Sequence, residues 1–286
     1  MYKIANEGMH EFWNGTGALK WLRFQDRMEK NLTPYGHEVM SAAMISTGDF
    51  VLDIGCGCGD TSFQMARRVK DNGHVYGVDI SVPFVTEATK RKALASAQNT
   101  TFLCGDAQVY PFETAVFDVV FSRFGGMFFD DPVQAYGNVR RGMKNNGRLA
   151  FICWRPAKDN EWISLSLDVV ANHISLPEPL GPEDTGPMSF GDENRVLQIL
   201  TKAGFSNIQI EASNTPFTVG TNVDEAVEFL TQLGPAGGAI FQSGTDEASK
   251  THIAADLRKA LEPFLTERGV VLGAATWIVT ATNSGI

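Results

Sequence analysis

The sequence predicts an α/β protein: a doubly wound, mostly parallel sheet with helices on both faces. Three observations carry this. Short apolar runs alternate with stretches of helical period between about residues 48 and 156. The first run ends in a glycine-rich turn, "VLDIGCGCGD" (residues 51–60), the kind of strand-to-helix junction at which backbone approaches a ligand. Acidic or polar residues close the later runs, at the strand ends where an open parallel sheet binds its ligands.

The elements follow in order. From Gly8 to Met44 the pattern is helical, with Trp21, Phe24, Met28 and Leu32 on one apolar stripe. "TPYG" is expected to break it, and a second helix to run to about Met44. "FVLDI" reads as a buried strand and "DTSFQMARRV" as a helix capped near Asp60 or Thr61. "HVYGVDI" is a strand, and "VPFVTEATKRKALASA" a helix with Pro83 in its first turn. "TTFLCGD" and "FDVVFSR" are strands. "DPVQAYGNVRRGM" is a helix with Asp131 as N-cap, Pro132 behind it and Gln134 reaching back to close a capping box. "GRLAFICWR" is a strand.

Beyond Arg155 the rhythm loosens. Trp162, Leu165 and Val169 suit a helix, "LPEPLGPEDTGPM" a loop, and "DENRVLQILTKAG" a capped helix ending at Gly204. "FSNIQIEA" is a strand. Residues 222–233 and 250–263 look helical on either side of glycine-rich "GPAGGAIFQSG", and "AATWIVTAT" is a last strand. The expected organisation is an N-terminal helical lid (1–47), a ligand-binding core (48–156), and cap insertions with C-terminal strands that complete the sheet (157–286).

Composition narrows the function. The 286 residues are 43% hydrophobic, enough for one large domain or a domain with an appended cap. A net charge of −9, with only short basic clusters, disfavours nucleic acid, which needs a cationic surface. No apolar run approaches the ~18 residues of a membrane span, and the N-terminal residues lack an apolar signal core. A cytoplasmic protein with no membrane partner is expected. Cys56-x-Cys58 is neither a CxxC pair nor a zinc knuckle, so no metal is expected and the thiols read as small buried side chains.

Four features fall at strand ends on one edge: the turn of Gly55, Gly57 and Gly59; Asp79 with Ile80; Gly105, Asp106 and Ala107; and Ser122 with Arg123. One ligand lying across that edge would touch them all. A dinucleotide requires G-x-G-x-x-G, whereas here the spacing is G-x-G-x-G and Asp60 stands where the third glycine would be. Asp53 adds a second carboxylate, and two carboxylates oppose a pyrophosphate. They favour a ligand with a positive amino-acid end and no phosphate. S-adenosylmethionine is such a ligand: Asp53 would support the turn that takes its ammonium, Asp79 would accept the ribose hydroxyls, and Asp106 with Ala107 would meet the adenine. Each acid could instead be a turn or strand-ending residue.

"VLDIGCGCG", "GVDIS", "GDAQVYPF", "FDVVFSR" and "GRLAFICWR" together resemble the ordered motifs of class I S-adenosylmethionine-dependent methyltransferases, over about residues 48–156. "SRFGGMFFDDP", then "CWRP", after an N-terminal "FWNGTGALKW", resemble a bacterial subgroup of small-molecule type. The resemblance implies a seven-stranded sheet, whose antiparallel strand "AATWIVTAT" could supply, and methyl transfer by in-line displacement to an O, N, S or C atom of a small molecule. "SRFG" departs from the Asn/Asp-Pro-Pro-aromatic motif that marks methylation of nucleic-acid bases. A binder that no longer transfers methyl groups, a protein or peptide methyltransferase and a nicotinamide oxidoreductase stay as alternatives.

Alignment and a dry pocket are the protein's main contribution to such a reaction, and a base is optional. Candidates for a base are His10, His173, His37 and Asp130, none with a motif-like neighbour. Phe124, Met127, Phe128 and Phe129 could line the site or fill the core, as could Trp13, Trp21, Trp154 and Trp162. The glycine-rich stretch from Trp13 to Gly17 is too flexible to extend a helix and could fold over the mouth of the site, making Trp13 a further candidate ligand contact and residues 8–17 part of a lid.

Overall fold

The computed structural model describes residues 3–178, 181 and 184–285. Part of the expected loop "LPEPLGPEDTGPM" lies outside them. In chain order the elements are α1 (Glu7–Asn14), α2 (Thr16–Arg23), α3 (Gln25–Ala42), β1 (Phe50–Ile54), α4 (Asp60–Val69), β2 (His74–Asp79), α5 (Val82–Ala95), β3 (Thr100–Cys104), β4 (Phe117–Arg123), α6 (Pro132–Gly142) and β5 (Met143–Trp154). There follow α7 (Glu161–Ala171), α8 (Glu193–Lys202), β6 (Ser206–Ser213), β7 (Phe217–Gly220), α9 (Val223–Gln232), α10 (Gly234–Gln242), α11 (Glu247–Leu261), β8 (Leu265–Thr266), β9 (Gly269–Leu272) and β10 (Thr276–Thr282).

The chain divides into two compact units. The first is Met1–Trp154, Glu183–Ala212 and Trp277–Ile286. It holds a seven-stranded sheet in the order β3-β2-β1-β4-β5-β10-β6. The pairs β1–β2, β2–β3, β1–β4 and β4–β5 are parallel. Residues 146 and 147 bond to Asn283 while Arg155 bonds to Ala275, so β10 runs antiparallel to β5, as the resemblance implied. Val51 and Leu52, Val119 to Phe121, and Ala150 to Ile152 are almost wholly buried, the signature of central strands covered on both faces. The strand order reverses between β1 and β4, and the carboxyl ends of β1 to β4 share one edge.

The second unit is Arg155–Pro182 with Ser213–Thr276. It packs α7, α9, α10 and α11 with a three-stranded sheet, β7-β9-β8, around Trp162, Phe217 and Phe229. The sequence reading missed this sheet because its strands have only two to four residues, too short to show a period.

Other expectations need correction. "TPYG" does not break α3: Pro34 stands inside it. An interior proline costs about 3 kcal/mol, but Tyr35, Val39 and Met40 beyond it are fully buried, each worth roughly 1.5–3 kcal/mol. "GPAGGAIFQ" is α10 and not a linker. A Cβ on Gly237 would lie 2.6 Å from the Gln232 carbonyl carbon, so its glycine permits close helix packing. The N-cap of α4 is Gly59, with Asp60 already helical. Gln134 does not close a capping box; its Oε1 accepts from Gln108 Nε2, and Gln108 Oε1 accepts the Asp131 N–H.

Candidate functional site

The site is built where β1 meets α4. Gly55, Gly57 and Gly59 have φ of +67°, +54° and +86°, left-handed values that side chains rarely adopt. A Cβ on Gly55 would lie 2.8 Å from Gly125 Cα, so the ends of β1 and β4 meet backbone to backbone. Ser122 fastens that junction: its hydroxyl donates to Ile54 O at 2.8 Å and accepts from Gly126 N at 2.9 Å. Ser122, expected as a ligand contact, thus also braces the junction. Above Gly57 a Cβ would meet nothing within 4 Å.

Asp53 lies beneath the turn, 1% exposed. Its Oδ2 accepts from the hydroxyls of Thr61 (2.8 Å) and Ser62 (2.6 Å) in the first turn of α4. Its Oδ1 is buried without a partner. Burial pushes the carboxyl up to about 6, with the two hydroxyls and Arg123 opposing. Asp79 at the end of β2 is also pushed to about 6 by burial, opposed by backbone N–H groups. Its Oδ2 accepts from Gly57 N at 2.8 Å and its Oδ1 from Ser81 N at 2.9 Å. With the Ile80 N–H also beside it, acceptor capacity still remains, on a carboxylate bound to the glycine turn itself. Ile80 is held through its carbonyl, which accepts from Asn14 Nδ2 at 3.1 Å.

At the end of β3 the arrangement differs. Asp106 is 2% exposed. Its Oδ2 accepts from Ala5 N (2.8 Å) and Asn6 N (2.9 Å), and its Oδ1 from Gln108 N (2.9 Å). A carboxylate offers about four lone-pair sites, so three are taken within the chain. Ala107 O accepts from Asn138 Nδ2 at 2.9 Å, and Gly105 N donates to Asp79 O at 2.9 Å.

At the end of β4, Arg123 passes Gly36 of α3 and its Nη2 grips both oxygens of Glu29, at 3.0 and 2.8 Å. Its charge is thus largely committed inside the chain, although Nη1 is buried without a partner. Burial pushes Glu29 up to about 7, against the pull of Arg123. The next residue, Phe124, has φ +59° and stacks on Trp154 at 4.2 Å. A bulky residue held in that conformation marks strain at this edge.

Trp13 sits edge-on to Trp21 (5.9 Å) and to Phe128 (5.7 Å) and tilts against Phe84 (5.7 Å). It joins the N-terminal helices to the strand-end loops. Asn6 and Asn14, which sequence reasoning missed, do the same by hydrogen bonds. Asn6 Nδ2 donates to Phe128 O at 2.6 Å, and Asn14 Oδ1 accepts from Val82 N at 2.9 Å. Their partners on this edge are 66 to 122 residues away, beyond any local pattern.

The proposed bases are not assembled. His173 belongs to the second unit, where Nε2 lies 3.1 Å from Asp256 Oδ2. His10 is half-buried on α1, His37 is exposed on α3, and exposed Asp130 accepts from Thr185 Oγ1 at 3.1 Å. Burial holds Cys58 up at about 12 and Cys56 well above its usual range, so both stay protonated thiols. Among the described residues no three His, Cys, Asp or Glu side chains group to hold a metal.

The profile of one protein family, described as a methyltransferase domain, matches residues 45–204, more than half of the chain. Aklanonic acid methyltransferase DauC of Streptomyces sp. (strain C5) is 33% identical over 119 residues, 42% of this chain and 54% of that protein. Demethylmenaquinone methyltransferase of Lactococcus lactis subsp. lactis (strain IL1403) is 28% identical over 157 residues, 53% of this chain and 60% of that protein. The match thus spans little more than half the length of these relatives. The crystal structure of YcgJ from Bacillus subtilis superposes with a TM-score of 0.56 at 17% identity, over 86% of this chain and 97% of that one, which speaks for the fold alone.

Proposed function

The chain belongs to the methyltransferase-domain family, and on that premise we propose that it transfers the methyl group of S-adenosylmethionine to a small organic molecule. The observation that carries the reading is the pairing of buried Asp53 Oδ1, which has no partner, with Asp79, which keeps acceptor capacity beyond its backbone donors, on either side of one glycine turn. Both are anionic acceptors, suited to an ammonium and a diol and unsuited to a pyrophosphate.

When bound, the cofactor supplies a sulfonium methyl, an electrophile that needs no further activation. Asp53 Oδ1 would take the ammonium and Arg123 Nη1 would donate to the carboxylate, each ending the isolation of a buried polar atom. Asp79 would accept the ribose hydroxyls, and the open face of Gly57 would let the ligand lie against backbone. Trp13 and Phe128 would exclude water from the mouth. No assembled base is required for an acceptor that arrives ionised, as a carboxylic acid does near neutrality. The acceptors named for the two relatives, aklanonic acid and demethylmenaquinone, support a small organic acceptor here.

The test has two stages. Calorimetry with S-adenosylhomocysteine should show binding at micromolar Kd, on the order of −7 to −8 kcal/mol, while NAD gives no heat. Incubation of cell extract with methyl-labelled cofactor should then label a small molecule. Heat from NAD and none from S-adenosylhomocysteine would overturn the reading. Binding with no labelled product of any size would leave a binder without transfer, and label in protein would move the acceptor class.

A further inference from the structure

We propose that Glu29 is a positioning residue: it holds Arg123 away from Asp53 and so keeps open a slot between the two for the amino-acid end of the cofactor. Arg123 and Asp53 each carry a buried polar atom without a partner, Nη1 and Oδ1, and the two do not bond to each other. They are nevertheless neighbours. A Cβ on Gly36 would lie 3.7 Å from both Arg123 Nη1 and Thr61 Cγ2, and the Thr61 hydroxyl donates to Asp53 Oδ2. Arg123 also draws the Asp53 carboxyl down against the effect of burial. Two opposite charges so placed gain by pairing, because each is otherwise buried and unsatisfied. Something must keep them apart.

Glu29 does so. Its two oxygens both accept from Arg123 Nη2, at 3.0 and 2.8 Å, and take nothing from Nη1. A carboxylate commonly grips a guanidinium fork to fork, through two nitrogens; this one uses a single nitrogen and leaves the other. Glu29 is fixed in turn by a hydrogen bond to Asp60 at the start of α4, and Asp60 Oδ2 accepts from Gln64 Nε2 at 2.7 Å. The guanidinium is thus drawn toward α3, with Nη1 left over. A cation and an anion held apart, each with one buried atom unsatisfied, match a zwitterion: an ammonium on Asp53 Oδ1 and a carboxylate on Arg123 Nη1. Glu29 acts on that zwitterion through Arg123. The identity of the zwitterion rests on the methyltransferase reading.

The experiment is calorimetry on the full-length protein with two ligands: S-adenosylhomocysteine, and 5′-methylthioadenosine, which has the same nucleoside but no amino-acid end. Wild type should prefer the first by at least about tenfold, the weight of one charge-assisted bond. In Glu29→Ala, Arg123 is released to pair with Asp53. Binding of S-adenosylhomocysteine should then weaken by at least about tenfold, and that of 5′-methylthioadenosine should not change. If Glu29→Ala does not fold, Glu29→Met, which fills the space without an acceptor, takes its place. In an Arg123→Met background the same Glu29 substitution should cost S-adenosylhomocysteine nothing further, because the group it releases is gone. Equal weakening of both ligands would make Glu29 a support of the fold only and would overturn the proposal. So would unchanged binding of both, or a loss in the Arg123→Met background as large as in wild type. Wild type that binds both ligands equally would sink the slot and leave the methyltransferase reading standing; wild type that binds neither would sink that reading as well.

Discussion

Asp79 and Asp106 end neighbouring strands, β2 and β3, on the same edge of the sheet, and the chain treats them in opposite ways. Asp79 takes its backbone donors from Gly57 in the glycine turn and from Ile80 and Ser81, the two residues that follow it. Asp106 takes three, two of them from the far N-terminus. In the sequence the two are alike, an acid closing a strand. The difference is one of reach: Asp79 is held by its own edge, and Asp106 also by a segment about a hundred residues earlier, which no local pattern announces.

The largest expected effect tests the first half of that contrast. Asp79→Ala should remove charge-assisted bonds worth about 1.5–3 kcal/mol each, so affinity for S-adenosylhomocysteine should fall by at least about tenfold, and by more if both ribose hydroxyls are held. Calorimetry on protein with a native circular dichroism spectrum measures it. Unchanged affinity would break the comparison at its base.

Next comes the turn that Asp79 holds. Gly55→Ala places a Cβ 2.8 Å from Gly125 Cα at a φ of +67°. The left-handed conformation alone costs about 1–2 kcal/mol, and the clash adds to it. Thermal unfolding without ligand should drop by several degrees, at about 2–4 °C per kcal/mol for a chain of this size. Gly57→Ala, with open space at its Cβ, should be milder for stability and worse for binding. Equal losses in both assays for both variants would remove the distinction between a packing glycine and a ligand-facing one.

The sheet and its helices were legible from residues 50 to 154 because buried parallel strands and capped helices leave local marks: "FVLDI", the glycine turn, Asp131 before Pro132. Asp53 was read only as a support of the turn; its bonds to Thr61 and Ser62, eight and nine positions on, are within local reach but were not drawn from the sequence. The site was not legible where partners are far apart. Glu29 with Arg123, Asn14 with Val82 and Asp106 with Ala5 are separated by 68 to 101 residues. Each ties the N-terminal segment to the edge at points no local pattern shows, and the stretch from Trp13 to Gly17, expected not to extend a helix, is helical on both sides of Gly15. Pro34 and "GPAGGAIFQ" misled for the complementary reason: local rules favour a break, and burial of the flanking turns overrides them.

A smaller effect sharpens the contrast through pH. Burial raises both Asp53 and Asp79 to about 6. Their ionised forms are the ones that hold an ammonium and two hydroxyl donors. Cofactor affinity should therefore be level above about pH 7 and fall as pH drops through 6. Stability of the ligand-free protein should move the other way. A carboxyl whose folded value lies above its unfolded value contributes stability that is full below about 4 and is lost as pH rises through 6. Opposite pH trends for binding and for ligand-free stability are the expected outcome. Parallel trends would mean that these carboxyls do not face the cofactor.

The smallest effect concerns Glu29, which joins α3 to Arg123 at the end of β4. Its carboxyl is raised from 4.5 to about 7, burial outweighing the attraction of Arg123. The ion pair is therefore a strained attachment: ionised Glu29 is less well accommodated in the folded protein than the neutral acid is. Its contribution to stability is full below about pH 4.5 and disappears as pH rises through 7. Glu29→Gln keeps the shape and most of the hydrogen bonding but does not titrate. The variant should resemble wild type most closely near pH 6, where Glu29 is mostly neutral, and its unfolding temperature should gain on wild type between pH 6 and pH 8. Differential scanning fluorimetry at these two values reads the change. A gap that widens against the variant as pH rises would mean that the pair with Arg123 outweighs burial.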